Sequence, residues 1–255
     1  MLNDWIKFLG TGGGRVVVFR QLRQSGGMWI HLKNTNILVD PGPGSLIRIF
    51  ENNLDPKDID IFVLSHRHLD HVADINSVLE SATESTKNKK DLLIAPKDAI
   101  EGEDPVILKY LKKGIKKFIY TEQGLEVKYK NISIKAHIKH IHRGAETYGL
   151  SFETEEKKIV YVPCGKFYED MLTGYPPNAD LMIFNTTFVK PKPNIDHLSA
   201  QDVIEMIKVL KPKKAVITHF SVDILKANPK EIAKWIFSET SVPVIPAEDN
   251  MKLLI

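Results

Sequence analysis

Short apolar runs alternate with helix-like segments along most of the chain. The runs hold four to six residues each and are rich in Val, Ile and Phe, which is typical of buried strands. Strands are predicted at Ile6–Leu9, Val16–Phe19, Met28–Leu32, Asn36–Val39, Ile59–Leu64, Leu92–Ala95, Lys116–Tyr120, Leu125–Tyr129, Ile132–His137, Tyr148–Phe152, Lys158–Val162, Leu181–Phe184, Ala215–Thr218 and Val242–Ile245. Helices are predicted at Leu69–Ala82, Pro105–Lys113, Ser199–Leu210 and Pro229–Thr240. The alternation predicts an α/β protein in which helices cover sheets.

Two of the predicted helices have recognisable first residues. Ser199 followed by Asp202 resembles a capping box in which Asp replaces the usual Glu. Pro229 suits a first helical position, where its missing N–H costs no hydrogen bond. We therefore expect these two helices to begin close to Ser199 and Pro229.

The composition limits the class of protein. With 255 residues, 43% of them hydrophobic, the chain can bury a large core, and no repeat or long linker divides it, so one domain over residues 1–255 is predicted. The formal charge of +3 is too small to indicate a partner, and a single cysteine, Cys164, fits a reducing compartment. No signal peptide and no apolar run long enough to span a membrane is recognisable. These features predict a soluble, cytoplasmic protein with no membrane partner; they do not predict its oligomeric state.

One region departs from the even charge balance. Residues 87–139 hold 13 lysines and seven acidic residues. Solvated lysine side chains are the simpler interpretation, and attraction of phosphate or nucleic acid is the alternative.

The strongest chemical signal follows the predicted strand Ile59–Leu64. There the sequence reads Ser65-His-Arg-His-Leu-Asp-His71, with three histidines and a carboxylate within six residues. On extended backbone, side chains two residues apart point the same way, so His66 and His68 can bind one ion. Asp70 and His71 enter the next helix and can serve a second position. Nitrogen and carboxylate donors suit zinc, with manganese or iron as alternatives.

Six further histidines could complete such a site. They are His31, His137, His140, His142, His197 and His219. His219 closes a strand-like run, His142 precedes a loop that leads into the next strand, and His197 lies just ahead of a helix N-terminus that favours anions. These three are the stronger candidates by position.

Two glycine-rich segments point to turns. Gly10-Thr-Gly-Gly-Gly14 has Arg15 where a dinucleotide fingerprint needs its third glycine, so nucleotide binding is not predicted. Asp40-Pro-Gly-Pro-Gly44 indicates turns after a strand, with the alternative that Asp40 supports a ligand histidine.

Taken together, these motifs resemble the metallo-β-lactamase superfamily. Leu9–Gly13, Asp40–Gly44, Ser65–His71, the His142 loop, Tyr161–Gly165 and Thr218-His219 occur in the order seen there. The resemblance implies an α/β fold, the αββα four-layer metallo-β-lactamase sandwich, with two sheets face to face and metals at one edge. Asp196-His-Leu-Ser199 is similar to a histidine motif of the phosphodiesterase and tRNA 3′-end endonuclease branch.

The resemblance also implies a ligand set for two divalent metal ions. His66, His68 and His142 would hold one ion, and Asp70, His71 and His219 the other, with His140 competing with His142. Cys164 stands where relatives carry a bridging Asp. It would be a ligand or, alternatively, a small buried residue.

Two cations lower the pKa of a shared water to about 7, so hydrolysis is the predicted reaction. The resemblance implies that Asp70 and His197 are catalytic residues and that His197 stabilises the transition state or protonates the leaving oxygen at a phosphate. Because no inserted Gly- and Pro-rich arm could clamp tRNA, a small phosphodiester is favoured over nucleic acid. A lactone, thioester or β-lactam hydrolase and a catalytically weak, metal-bound binding module are the alternatives.

Overall fold

A computed structural model describes residues 4–255. The helices are α1 (Arg15–Arg20), α2 (Ser45–Glu51), α3 (Leu69–Val72), α4 (Ile75–Ala82), α5 (Lys97–Ile100), α6 (Met171–Gly174), α7 (Ala200–Leu210), α8 (Val222–Ala227) and α9 (Pro229–Thr240). The strands are β1 (Trp5–Phe8), β2 (Met28–Leu32), β3 (Thr35–Val39), β4 (Ile61–Val63), β5 (Lys90–Ala95), β6 (Ile115–Tyr120), β7 (Glu126–Tyr129), β8 (Ile132–Lys139), β9 (Tyr148–Glu153), β10 (Lys158–Val162), β11 (Leu181–Phe188), β12 (Leu198–Ser199), β13 (Ala215–Thr218), β14 (Val244–Pro246) and β15 (Lys252–Leu254). Short 3₁₀ turns cover Pro56–Asp58 and Leu111–Gly114.

The described residues form two compact units, each with one large sheet. The first unit contains residues 4–11, 23–121 and 248–255, and the second contains residues 12–22 and 122–247. Each unit therefore combines segments that are distant in the sequence.

The sheet of the first unit runs in the order β15-β1-β2-β3-β4-β5-β6. Strands β3 to β6 are parallel to one another, whereas β15, β1, β2 and β3 pair antiparallel. Ile75 and Leu79 of α4 pack into one apolar cluster with Leu38, Phe62 and Leu93 of the sheet. Because β3 and β4 are parallel neighbours, Asp40 and Ser65 follow them at the same sheet edge.

The sheet of the second unit runs in the order β14-β13-β11-β10-β9-β8-β7, and β12 pairs with β11. Strands β10, β11, β13 and β14 are parallel, and β7 to β10 are antiparallel. Val203 and Ile207 of α7 and Ile236 of α9 cluster with Phe184 and Ile217 of the sheet. The predicted α/β class with helix-covered sheets is confirmed.

The capping box at Ser199 is also confirmed. The Ser199 Oγ accepts a hydrogen bond from the Asp202 N–H, while the Asp202 carboxylate accepts one from the Ser199 N–H. This exchange satisfies two backbone N–H donors at the start of α7 and fixes where that helix begins.

The predicted strand Val16–Phe19 is wrong, because these residues belong to α1. Val17 and Val18 are buried, whereas Val16 and Phe19 are exposed. Exposure at positions three apart is the periodicity of a helix and does not match the alternation of a half-buried strand. The β-branched run gave a strand propensity that its surroundings override.

The predicted helix Pro105–Lys113 is also wrong, since only the 3₁₀ turn Leu111–Gly114 forms there. The side chain of Asn76 donates to the Val106 carbonyl and accepts from the Leu108 N–H. These bonds take backbone groups that a helix would need for its own ladder.

The predicted helix Leu69–Ala82 is divided into α3 and α4. At the junction, the Asp74 N–H donates to the Pro41 carbonyl, and the Asp74 carboxylate accepts from the Leu46 N–H. These two hydrogen bonds connect the start of α4 to the loop that follows Asp40.

Candidate metal centre

The histidine cluster of the first unit lies where β4 ends. Leu64 continues the parallel pairing through its N–H to the Ile94 carbonyl, and α3 begins at Leu69. His66 and His71 are buried, while His68 is half-buried. The ring centroid of His66 lies 4.9 Å from that of His68 and 4.1 Å from that of His71. The sequence therefore brings three imidazoles together within one short segment.

Asp40 anchors this cluster from the end of β3. Its carboxylate accepts the Ser65 N–H and the Ser65 hydroxyl, both at 2.6 Å, and lies 3.0 Å from His71 Nδ1. Asp40 is 2% exposed and has a left-handed backbone with φ of 52°, a conformation that Asp tolerates better than most residues. The alternative that Asp40 supports a ligand histidine agrees with these bonds.

These hydrogen bonds determine which ring nitrogens carry protons. A carboxylate accepts only, so His71 donates from Nδ1, and its Nε2 carries the lone pair. The Ser65 hydroxyl gives its proton to Asp40 and therefore accepts from His66 Nδ1, which lies 3.0 Å away. Both rings thus have the tautomer that a metal ligand needs at Nε2. The Asp70 carboxylate lies 3.7 Å from His71 Nε2.

The turn after Asp40 packs against the same segment. A Cβ added to Gly42 would lie 2.1 Å from the Asp70 carbonyl oxygen, so only glycine fits there. The turn that the sequence indicated at Asp40–Gly44 therefore also packs directly against the backbone of Asp70.

The second unit carries its own cluster at the ends of three strands. One ligand atom each from Cys164, His197 and His219 lies within 4.8 Å of the other two. Cys164 Sγ is 3.4 Å from His219 Nε2, and both residues are buried. The ring centroid of His197 lies 5.5 Å from that of His219 and 5.2 Å from that of His142. The structure thus brings His142, Cys164, His197 and His219 together.

His219 depends on the glycine-rich loop before α1. His219 has a left-handed backbone with φ of 63°, and the Gly13 N–H donates to the Phe220 carbonyl beside it. A Cβ on Gly13 would lie 2.2 Å from His219 Nδ1. The lack of a side chain at Gly13 lets the loop lie directly against the imidazole.

His140 and His142 have different environments. His140 donates from Nδ1 to the Cys164 carbonyl at 2.9 Å and accepts the Tyr175 hydroxyl at Nε2 at 2.5 Å. Burial lowers the pKa of His140 to about 4, so the ring is neutral at pH 7 and both of its nitrogens are engaged. His142 donates from Nδ1 to the Asp196 carbonyl, which leaves its lone pair on Nε2. The geometry favours His142 as the ligand.

Two residues of β11 complete the surroundings of the second cluster, and sequence reasoning missed both. Asn185 Nδ2 donates to Cys164 Sγ at 3.3 Å and to the Tyr161 hydroxyl at 3.1 Å. Thr187 Oγ1 lies 3.0 Å from His219 Nδ1. Polar residues two apart at the end of a buried strand share one face, and that spacing was the available signal.

His197 has a buried ring nitrogen that is not engaged. Among residues 4–255, its Nδ1 has no hydrogen-bond partner although it is shielded from solvent. An unmet buried nitrogen is costly unless a ligand, ion or water meets it. This atom supports a binding role for His197.

The remaining histidines serve other purposes. His31 stacks on Trp5 and lies 2.7 Å from the Asn36 side-chain oxygen. His137 Nε2 bonds to the Ser151 hydroxyl, and burial lowers its pKa to about 4. Neither belongs to the donor clusters, in line with their weaker sequence signal.

The donor sets fit divalent metal ions. His66, His71 and His142 have the tautomer with the lone pair on Nε2. In the first unit the Asp70 carboxylate lies beside His71, and in the second unit the Cys164 thiol lies beside His219. Imidazole, carboxylate and thiolate together are the donors that zinc accepts most readily.

Comparison with known proteins identifies the family. A family model described as a β-lactamase superfamily domain matches residues 35–220. The chain belongs to the metallo-β-lactamase superfamily. The metallo-β-lactamase fold protein YhfI from Bacillus subtilis shares the fold, with a TM-score of 0.79 and 17% identity over 98% of this chain and 99% of that one.

Sequence relatives of this metallo-β-lactamase superfamily member include ribonuclease Z proteins. An uncharacterized protein of Methanocaldococcus jannaschii is 28% identical over 97% of this chain and 94% of that protein. A ribonuclease Z of Alkaliphilus oremlandii is 30% identical over 60% of this chain and 51% of its own length, so that match spans about half of the relative. The chain is accordingly a hydrolase of this superfamily, whose fold implies divalent-metal binding. No helix within residues 4–255 is long and apolar enough to cross a membrane.

Proposed function

We propose that this chain is a metal-dependent phosphodiesterase that acts on a small phosphodiester. In this proposal His66, His68 and His142 hold one divalent ion, while Asp70, His71 and His219 hold a second, with Cys164 as a further ligand. Zinc is the proposed ion, because thiolate and imidazole donors favour it over manganese. When bound, the two ions would acidify a water and offset negative charge on the attacked group.

The observation that carries the choice of reaction is the position of His197. Its ring centroid lies 5.2 Å from that of His142 and 5.5 Å from that of His219, and its Nδ1 is shielded and not engaged among the described residues. In this proposal the His197 ring lies beside the ligands His142 and His219 but is not itself a ligand, so it is free to contact a phosphoryl oxygen of the substrate. His197 would hydrogen-bond to that oxygen or donate a proton to the leaving oxygen.

The surrounding residues fix this arrangement. The capping box at Ser199 holds the start of α7 two residues beyond His197. The imidazole of His142 donates from Nδ1 to the carbonyl of Asp196, the residue before His197. His197 is therefore tied to a ligand on one side and to a helix on the other.

The test separates metal binding from rate. We expect His197→Ala to keep the full metal content and to lose roughly 10²- to 10⁴-fold in phosphodiester hydrolysis, the usual contribution of a general acid or base. Metal content is measured by elemental analysis and rate with bis(4-nitrophenyl) phosphate. His31→Ala, a histidine outside the donor clusters, is the matched control and should retain the rate.

Three outcomes would contradict the proposal. An unchanged rate in His197→Ala would remove the role of His197 and favour carbonyl substrates, tested with lactones, thioesters and β-lactams. Loss of metal would make His197 a ligand. Metal-loaded wild-type protein that hydrolyses neither class would instead be a binding module.

A further inference from the structure

The loop between β11 and β12 is held at three points within the second unit. The Val189 N–H donates to the Asp223 carboxylate at 2.9 Å, and Lys166 Nζ donates to the Pro193 carbonyl at 3.2 Å. At its far end the Asp196 carbonyl accepts from His142 at 2.9 Å. Two prolines, Pro191 and Pro193, restrict the backbone between these points. The loop is therefore fixed beside His142 and His197.

This fixed loop places one ammonium group over an aromatic ring. Lys192 Nζ lies 4.2 Å from the centroid of the Phe188 ring, within the range of a cation–π contact. The Phe188 ring centroid is in turn 6.3 Å from that of His197. Lys192 is exposed, and no acidic side chain of residues 4–255 forms an ion pair with it. A positive charge is thus held one aromatic ring away from His197 and is not neutralised by the protein.

We propose that Lys192, positioned on Phe188, binds a second phosphate group of the substrate, adjacent to the phosphodiester that is cleaved. This inference rests on the proposed phosphodiesterase function and narrows its substrate to diesters that carry an additional phosphate. An ammonium is a compact cation suited to phosphate oxygens, and the ring restricts where it can lie. Lys192 would then determine specificity and leave the reacting atoms to other residues.

The charge of the loop agrees with this assignment. Lys190 and Lys192 both lie on the exposed part of the loop, whose acidic residue, Asp196, follows at its anchored end. Close to the site, a fixed cation attracts a dianion more strongly than the monoanion of a simple diester. The alternative is a lysine whose only role is to cover the Phe188 ring, and the experiment below distinguishes the two.

The experiment compares two substrates that differ only in the additional phosphate. These are thymidine 5′-(4-nitrophenyl phosphate) and its 3′-phosphorylated counterpart, hydrolysed by the metal-loaded enzyme. We expect Lys192→Gln to raise KM for the 3′-phosphorylated substrate by about three- to tenfold, as for one charge-assisted bond, with kcat unchanged. KM for the other substrate should not change. Lys192→Arg should restore most of the preference, because it restores the charge.

Lys226→Gln is the matched control, since it removes one exposed positive charge from α8 in the same unit. An equal rise of KM for both substrates in Lys192→Gln, or the same rise in Lys226→Gln, would overturn the proposal. So would an unchanged preference in Lys192→Gln.

A binding measurement keeps this inference separate from the proposed function. Calorimetry compares thymidine 3′,5′-bisphosphate with thymidine 5′-phosphate on the metal-loaded protein. If neither diester is hydrolysed, the phosphodiesterase proposal fails. In that case the proposed Lys192 subsite is still supported if Lys192→Gln weakens binding of the bisphosphate only. It is overturned if the substitution weakens binding of neither compound or of both equally.

Discussion

At the scale of single residues, the same side chain two positions apart can have different roles. His140 and His142 are both imidazoles near the end of β8, but His140 has its two nitrogens engaged by Cys164 and Tyr175. His142 is anchored at Nδ1 by the backbone carbonyl of Asp196. The hydrogen-bond partners, and not the residue type, decide which ring can bind a metal.

His137 gives a prediction about pH at this scale. Burial is the main cause that lowers its pKa from 6.5 to about 4, with Lys135 and Lys158 adding to it and Glu153 opposing it. Because the folded pKa is depressed, the unfolded chain takes up a proton first as pH falls below 6.5. The stability due to neutral His137 is therefore present above pH 6.5 and is lost on the way to about pH 4.

We expect His137→Gln to flatten the acid side of the stability curve. Between pH 7 and pH 4, the free energy of unfolding of the variant should fall by about 2 to 3 kcal/mol less than that of wild type. Urea unfolding at a series of pH values measures this difference. Parallel curves for the two proteins would show that His137 has the same pKa in the folded and the unfolded state, and would contradict the prediction.

At the scale of elements, the turn after β3 organises the loop after β4. Asp40 accepts hydrogen bonds from Ser65 and lies beside His71, and Gly42 lets the turn contact the Asp70 carbonyl. Two parallel neighbouring strands therefore deliver a carboxylate and the histidines it orients to one sheet edge.

Asp40→Asn tests this coupling between elements. The carboxamide places a donor where the carboxylate accepts from Ser65 and His71, so a buried bond is lost. We expect metal affinity to fall by about 10- to 100-fold and the metal-free protein to lose roughly 1 to 3 kcal/mol of stability. Metal titration and urea unfolding measure the two effects.

Asp60→Asn is the matched control for Asp40→Asn. Asp60 also accepts a backbone N–H, from Asn36, but it precedes β4, whereas the histidines follow that strand. It should lose some stability and keep its metal affinity. Equal metal affinity in the Asp40 and Asp60 variants would contradict the role given to Asp40.

At the scale of the whole molecule, metal binding should be linked to folding. The proposed ligands come from segments between residues 66 and 219, which are not held together in an unfolded chain. Metal that binds only the folded state stabilises it by about 2.7 kcal/mol at 100 times Kd. For a chain of this size we expect chelation to lower Tm by roughly 5 to 10 °C.

Calorimetry with and without chelator measures this shift, and thiol labelling provides a second readout. If Cys164 is a ligand, chelation should also speed its reaction with a thiol reagent. His71→Ala should show a smaller response to chelator than wild type. A Tm independent of chelator in protein shown to contain metal would contradict the linkage.

Much of the local structure could be predicted from the sequence, because it depends on short-range patterns. The Ser199 capping box and the helix at Pro229 were predicted from residues within four positions of one another. The strand predicted at Val16–Phe19 was wrong because the surroundings of α1 override its local strand propensity. The helix predicted at Pro105–Lys113 was wrong because the Asn76 side chain contacts the Val106 carbonyl and the Leu108 N–H. Local propensity could not indicate those contacts.

The sequence by itself determined the α/β class, the superfamily and the cluster from His66 to His71, because hydrophobic periodicity and closely spaced donors are local properties. Only the tertiary structure decided that Asp40 orients His71, that Asn185 contacts Cys164, and that Tyr175 and the Cys164 carbonyl engage His140. The physical reason is that a hydrogen bond acts over about 3 Å. The two partners of these bonds are separated by 21 to 35 residues, and only the folded backbone brings them within that distance.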